Sequence, residues 1–193
     1  MISDNISVSE NGHLAFSGVD VVSLAEKYGT PLYLIDENRI RGNCRKYKAA
    51  VKKYFGDESL PLYASKALCY KDLYRIINEE GLCVDVVSGG ELYTALSAGF
   101  PAEKIYFHGN NKTENEIVYA LKNGIGGFII DNFEELYFIN EQAEAIGIKQ
   151  NVLLRLSPGI DPHTHRAVVT GSVDSKFGVA IETGQALLFV EET

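Results

Sequence analysis

Leu60-Pro-Leu-Tyr-Ala-Ser-Lys66-Ala67 is a short apolar run that ends on a lone cation. Further apolar runs begin near Leu82, Lys104, Gly127 and Asn151, roughly 21–24 residues apart, the length of one compact βα unit with short loops. Helical periodicity fills the gaps, over 70–80, 90–98, 113–122 and 132–146. Thr113 with Glu116 makes a capping-box pattern, and Gly81, Gly99, Gly124 and Gly147 stand where helix C-termini favour positive φ. Val84-Asp-Val-Val87 and Gly127-Phe-Ile-Ile130 are continuous rather than alternating, as expected of parallel strands covered on both faces. The fold class is therefore α/β with about five parallel βα units, and a lysine closing an apolar strand, the position from which barrel enzymes reach a ligand, makes a TIM-like (β/α)8 barrel the expectation.

The first residues follow a different pattern. Ile6, Val8, Leu14 and Phe16 alternate around Glu10-Asn-Gly-His13, and Asn-Gly is a strong hairpin signal. An amphipathic helix is expected over 19–28, a strand over 31–36, and a long helix with a lysine- and arginine-rich face over 37–55. Closure of a barrel needs eight units, so about 70–90 further residues are expected beyond the fifth helix, placed at 183–192. The chain reads as the amino-terminal part of a larger barrel, with two open sheet edges.

Composition narrows the class of function. Hydrophobic residues make up 46% and charged residues 23%, enough for a substantial core. The net charge of -8 and pI near 5.0 disfavour nucleic acid and anionic membrane as partners. No apolar run reaches the roughly 18 residues of a membrane span, and no signal-peptide pattern opens the chain, so a cytoplasmic location is expected. Cys44, Cys69 and Cys83 lack a C-x-x-C spacing and are expected as reduced thiols.

In a barrel the carboxyl ends of all strands face one mouth, so Lys66, Asp85, His108 and Arg155, each at or just after a strand end, should converge. A lysine emerging from apolar surroundings sheds hydration of its ammonium form, which favours the free amine that attacks a carbonyl. The alternative for Lys66 is a snorkelling strand-end lysine. Asp85 sits between Val84 and Val86, an expensive place for a carboxylate without a partner; the alternative is an acid bonded to the Ser88-Gly-Gly90 turn. Arg155 interrupts Val152-Leu-Leu-Arg-Leu156 and needs either a ligand or a buried acid. Glu91 opens a helix, where a plain N-terminal cap is the alternative. His108-Gly-Asn-Asn-Lys112 could line the mouth or serve as turn chemistry.

Several segments carry a resemblance. Tyr63-Ala-Ser-Lys66-Ala, Val84-Asp-Val-Val-Ser-Gly-Gly-Glu91 and His108-Gly-Asn-Asn-Lys112 are followed by Arg155-Leu-Ser-Pro-Gly-Ile-Asp-Pro-His-Thr-His165, then Thr170-Gly171 and Asp174-Ser-Lys-Phe-Gly178. In that order they resemble the amino-terminal half of the diaminopimelate decarboxylase family, pyridoxal-phosphate enzymes of the alanine-racemase-like barrel class, and the match covers nearly the whole chain. The lysine strand and the Asp-to-Glu turn recur in related ornithine and arginine decarboxylases; the segments after Arg155 favour the diaminopimelate branch.

The resemblance implies a cytoplasmic lysine-biosynthetic carboxy-lyase that releases carbon dioxide from meso-diaminopimelate and leaves L-lysine. It implies pyridoxal 5'-phosphate bound by Lys66 as a Schiff base, with Asp85 beside the linkage, Arg155 on the phenolic oxygen, and Glu91 and His108 as further cofactor-site residues. Lys176, between Gly171 and Gly178, falls in a segment resembling a mobile active-site flap. Residues 1–35 would belong to a second, β-rich domain, 36–193 to the barrel, and the full-length protein would be a homodimer with shared active sites. The phosphate anchor, the partner of the pyridine nitrogen and the groups gripping the distal end of the substrate are expected beyond Thr193. Without them, the 193 residues alone are expected to be inactive.

Three other readings stand beside this one. Another amino-acid decarboxylase of the same cofactor class shares the lysine strand, and a non-catalytic fragment that pairs with a longer partner would suit an incomplete barrel. A metal-dependent barrel hydrolase would rest on Asp161, His163 and His165, since H-x-H on a strand points both rings to one face. Its placement after a Pro-Gly turn behind the fifth strand, rather than on the first, argues against a metal.

Overall fold

The computed structural model describes residues 3–160 and 177–193. Asp161, His163, His165, Gly171 and Lys176 lie outside the described residues. The chain divides into two compact units, Met1–Asn43 and Cys44–Thr193, the division falling within one helix.

The first unit begins with the expected hairpin. Strands β1 (Ile6–Val8) and β2 (Leu14–Phe16) pair antiparallel, and β3 (Val19–Asp20) pairs with β2. Helix α1 (Val21–Tyr28) starts two residues later than the sequence suggests, because Val19 and Asp20 are taken into the sheet. Asp20 caps it by accepting from Val22 N and Ser23 N at 2.8 and 3.2 Å. Residues 31–36 are not the expected strand. They run without strand pairing among the described residues, with Tyr33 fully exposed, because apolar alternation makes a strand only where a neighbour supplies the ladder. Helix α2 (Glu37–Phe55) follows as expected.

In the second unit the repeat is realised. β4 (Leu62–Ala64) is followed by α3 (Lys71–Glu79), β5 (Cys83–Val86) by α4 (Gly89–Ser97), and β6 (Ile105–Phe107) by α5 (Glu114–Lys122). β7 (Gly127–Ile130) is followed by α6 (Phe133–Ala145), and then comes β8 (Val152–Leu154). The five strands form one parallel sheet in sequence order. Gly81, Gly99, Gly124 and Gly147 all take positive φ just past the helices they terminate.

Two features depart from the expected pattern. Past Arg155 the fifth strand continues as β9 (Leu156–Ser157), which pairs in parallel with β10 (Val179–Ala180) before α7 (Gln185–Glu191). The last helix therefore follows a further short strand rather than the fifth strand directly; two residues are too few to register as a periodicity. The sheet is also covered on one face only. Val84, Val86, Ile105, Phe107, Phe128 and Ile130 are wholly buried with the apolar stripes of α3 to α6, whereas Asp85, Tyr106 and Ile129 on the opposite face stay partly exposed. Continuous apolar strands thus mark one packed face and one that is open among the described residues.

Within the second unit, the part of α2 past Asn43 is tied to α3 by charge. Arg45 grips Glu80 with two bonds of 2.8 and 2.7 Å, and Lys48 Nζ donates to the Glu80 carbonyl at 2.6 Å, closing the C-terminus of α3. No described helix is long and apolar enough to cross a membrane.

Candidate active site

Lys66 is in a single 3-10 turn, Ser65–Ala67, directly after β4. Tyr63 braces that turn by donating its hydroxyl to the Leu68 carbonyl at 2.9 Å; burial pushes the Tyr63 phenol up, partly opposed by this bond. The lysine itself is exposed, so the expected loss of hydration is absent: the turn lifts it clear of the apolar strand. Its turn packs against β5, where Asp85 stands in register with Ala64.

Asp85 and His108 meet. With its proton on Nδ1 the imidazole donates to Asp85 Oδ2 over a long 3.5 Å, both side chains being partly buried. Strand alternation puts them together: Asp85 is in register with Tyr106, and His108 lies two residues on, on the same face. Asp85 is not bonded to the Ser88-Gly-Gly90 turn, whose Gly89 N–H donates to Glu116 instead. Among the described residues, three buried atoms near these strand ends meet no hydrogen-bond partner: Ser65 Oγ, Asp85 Oδ1 and His108 Nε2. A buried polar group left unmet costs about 1–3 kcal/mol, so the residues fit a polar ligand that offers a donor to Asp85 and a partner to the imidazole.

Glu91 takes the capping role. Its Oε2 accepts from Val87 N at 2.8 Å, while Ser88 Oγ accepts from Glu91 N at 3.2 Å, so the pair closes the start of α4.

Arg155 lies in a second cluster. Its Nη1 donates to Asp131 Oδ1 at 2.9 Å, and its guanidinium stacks over the Phe177 ring, 4.2 Å from the centroid. The buried acid weighed as the alternative partner is therefore present, at the end of β7. Gly178 N donates to Asp131 Oδ2 at 3.2 Å, and a Cβ on Gly178 would stand 2.6 Å from the Arg155 carbonyl. Gly178 is thus closely packed and hydrogen-bonded on this side.

Behind Asp131 sits a charge pair that sequence reasoning missed. Lys112, its side chain 1% exposed, donates to Glu135 Oε1 at 2.5 Å and to the carbonyls of Gly109 and Ile129 at 2.9 and 2.8 Å. Burial pulls the Lys112 ammonium below its ordinary value and lifts Glu135 above its own, each opposed by the other. In the His108–Lys112 loop, turn chemistry is present, with Lys112 anchoring the turn, while His108 meets Asp85. Asp131 had the signal that marked Asp85, an acid at the end of an apolar strand. Among the described residues no cluster of three or more His, Cys, Asp or Glu could hold a metal.

Comparison with known proteins gives a consistent result. The family model described as "Pyridoxal-dependent decarboxylase, pyridoxal binding domain" matches residues 38–193. The diaminopimelate decarboxylase of Bacillus methanolicus is 49% identical over 179 residues, covering 93% of this chain and 41% of that protein. The one from Bacillus subtilis is 46% identical over 184 residues, covering 95% and 42%. The crystal structure of diaminopimelate decarboxylase from M. jannaschii in complex with L-lysine superposes with a TM-score of 0.85 at 36% identity, covering 97% of this chain and 44% of that one. The chain thus spans about two fifths of the length of the relatives it matches.

Proposed function

Because the chain belongs to the pyridoxal-dependent decarboxylases, through their pyridoxal-binding domain, we propose that it supplies the cofactor-binding part of an enzyme converting meso-diaminopimelate to L-lysine and carbon dioxide. The observation that carries this reading is the Asp85–His108 pair, with its unmet polar atoms, beside the turn that presents Lys66. The choice of substrate is supported by the relatives named diaminopimelate decarboxylase and by the solved relative that holds L-lysine.

In this reading Lys66 would hold the cofactor at its aldehyde carbon through the side-chain nitrogen. When bound, pyridoxal phosphate supplies the electron-accepting ring that takes up the electron pair left by departing carbon dioxide. Asp85 would favour a cationic nitrogen on Lys66, and His108 holds the Asp85 carboxylate. Arg155 would offer its guanidinium to the phenolic oxygen. Glu91 keeps the turn after β5 closed at the site's edge, and Lys176 belongs to a covering loop. Residues 1–35 form part of a second, β-rich domain, and the full-length protein is a cytoplasmic homodimer with active sites at the subunit interface.

Borohydride reduction of the protein carrying this chain, loaded with pyridoxal phosphate and then mapped by peptides, tests the assignment. A pyridoxyl label on Lys66 is expected, and a label confined to another lysine would overturn it. Lys66→Arg keeps the charge but cannot take the aldehyde, so turnover should vanish while the fold persists.

A further inference from the structure

The charges around Asp131 are more than stability calls for. Lys112, Glu135, Asp131 and Arg155 stand in a row behind the ends of β6, β7 and β8, and the Lys112, Glu135 and Asp131 side chains are almost wholly buried. Buried ion pairs commonly contribute no more to stability than apolar side chains of the same volume. What the row does provide is fixed geometry. Asp131 is held at three points: Oδ1 on Arg155, Oδ2 on Gly178 N, and its own N–H on Glu135 Oε2 at 3.4 Å. Glu135 is held in turn by Lys112. A carboxylate fixed this way cannot swing, and the guanidinium bonded to it takes its orientation.

Arg155 is confined from the other sides as well. Phe177 covers a face of its guanidinium, and Gly178 packs against its carbonyl so closely that no Cβ would fit. We infer that Asp131 is a positioning residue which acts through Arg155, setting the direction in which the guanidinium fork faces the anionic oxygen of the cofactor. The Lys112–Glu135 pair is the strut behind it. The inference rests on the role proposed above for Arg155. A purely structural tie between β7 and β8 would stabilise the sheet but leave cofactor binding unchanged.

The test is a double-mutant cycle on cofactor affinity in the full-length protein, read by absorbance during titration of the cofactor-free form with pyridoxal phosphate. Asp131→Asn should weaken binding by about tenfold to a hundredfold, the size usual when a group that orients a binding side chain is lost. In an Arg155→Met background the same substitution should have no further effect, because its route runs through the arginine. Unchanged affinity in Asp131→Asn, or an effect that adds in full to that of Arg155→Met, would overturn the inference. Should Asp131→Asn fail to fold, Asp131→Glu keeps the charge, shifts it by one methylene, and is read in the same cycle. Borohydride labelling of the wild type separates the two levels: no label on Lys66 removes the proposed function, whereas a normal label with additive effects removes only the role of Asp131.

Discussion

Lys112 shows how one side chain can be held charged away from water. All three of its donors find acceptors, and the carboxylate of Glu135 is 2.5 Å away. Burial works against both charges, lowering the lysine's affinity for its proton and raising the glutamate's. Lys112→Met should therefore cost about 3–5 kcal/mol near neutral pH, because it strands Glu135 as an uncompensated buried charge, and Lys112→Met with Glu135→Leu should cost less. The sign with pH follows from Glu135. A carboxyl whose folded value is raised contributes stability below its unfolded value and loses it as pH rises through the folded one. The Lys112→Met penalty should shrink as the pH is lowered toward the ordinary glutamate range, measured as urea midpoints in the full-length protein. A penalty that grows on acidification would contradict the pairing. Lys66, Asp85 and Arg155 were legible because each breaks an apolar run. The partners of Lys112 and Arg155 were not, since Glu135 and Asp131 lie 23 and 24 residues away on other elements. The exposure of Lys66 matches the snorkelling alternative, although the 3-10 turn that produces it leaves no mark in hydrophobic periodicity.

At the scale of elements, Glu116 ties two helices together. Thr113 and Glu116 form the capping box of α5, and the same carboxylate accepts from Gly89 N, at the start of α4, at 2.6 Å. Gly89 suits this approach, since a Cβ there would lie 2.9 Å from Glu116 Cγ. Burial alone would raise the Glu116 carboxyl, but the N–H groups of Thr113 and Gly89 hold it below its ordinary value. A lowered folded value gives stability that is present above the unfolded value and lost as pH falls through the folded one. Glu116→Gln should cost about 1 kcal/mol at neutral pH, for two weakened caps, and the gap from wild type should narrow as the pH falls below the ordinary glutamate range. Denaturation midpoints at neutral pH and below that range check this, and an equal gap at both would refute the charge-based cap. The capping box itself was readable as Thr-x-x-Glu; its reach to a second helix 27 residues away was not. The five-strand repeat was legible from spacing, whereas β10 was too short to leave a pattern, and residues 31–36 carried a strand pattern without a pairing neighbour.

For the molecule as a whole, the parallel sheet fixes which surfaces need a cover. No described strand pairs with the outer edge of β4, and that edge therefore presents unpaired backbone groups. Across the open face Leu153 is half exposed, and on the last helix Leu187, Leu188 and Val190 are exposed, with Ile181 just before it. Apolar surface of this kind and a free strand edge both favour association in water, because burial removes the one from solvent at about 25 cal/mol per Å² and pairing satisfies the other. Expressed by itself, the 193-residue chain should therefore form dimers or larger species at micromolar concentration, and it should release no carbon dioxide from diaminopimelate with added cofactor. Much of a decarboxylase's rate comes from positioning, and under the proposed assignment of Lys66, Asp85, His108 and Arg155 no described group anchors the cofactor phosphate. Sedimentation velocity decides the first point and a carbon dioxide assay the second. A compact monomer that unfolds cooperatively would mean that the open face and free edge are tolerated in water. Turnover at a rate near that of the full-length protein would mean that these strand ends suffice for the chemistry.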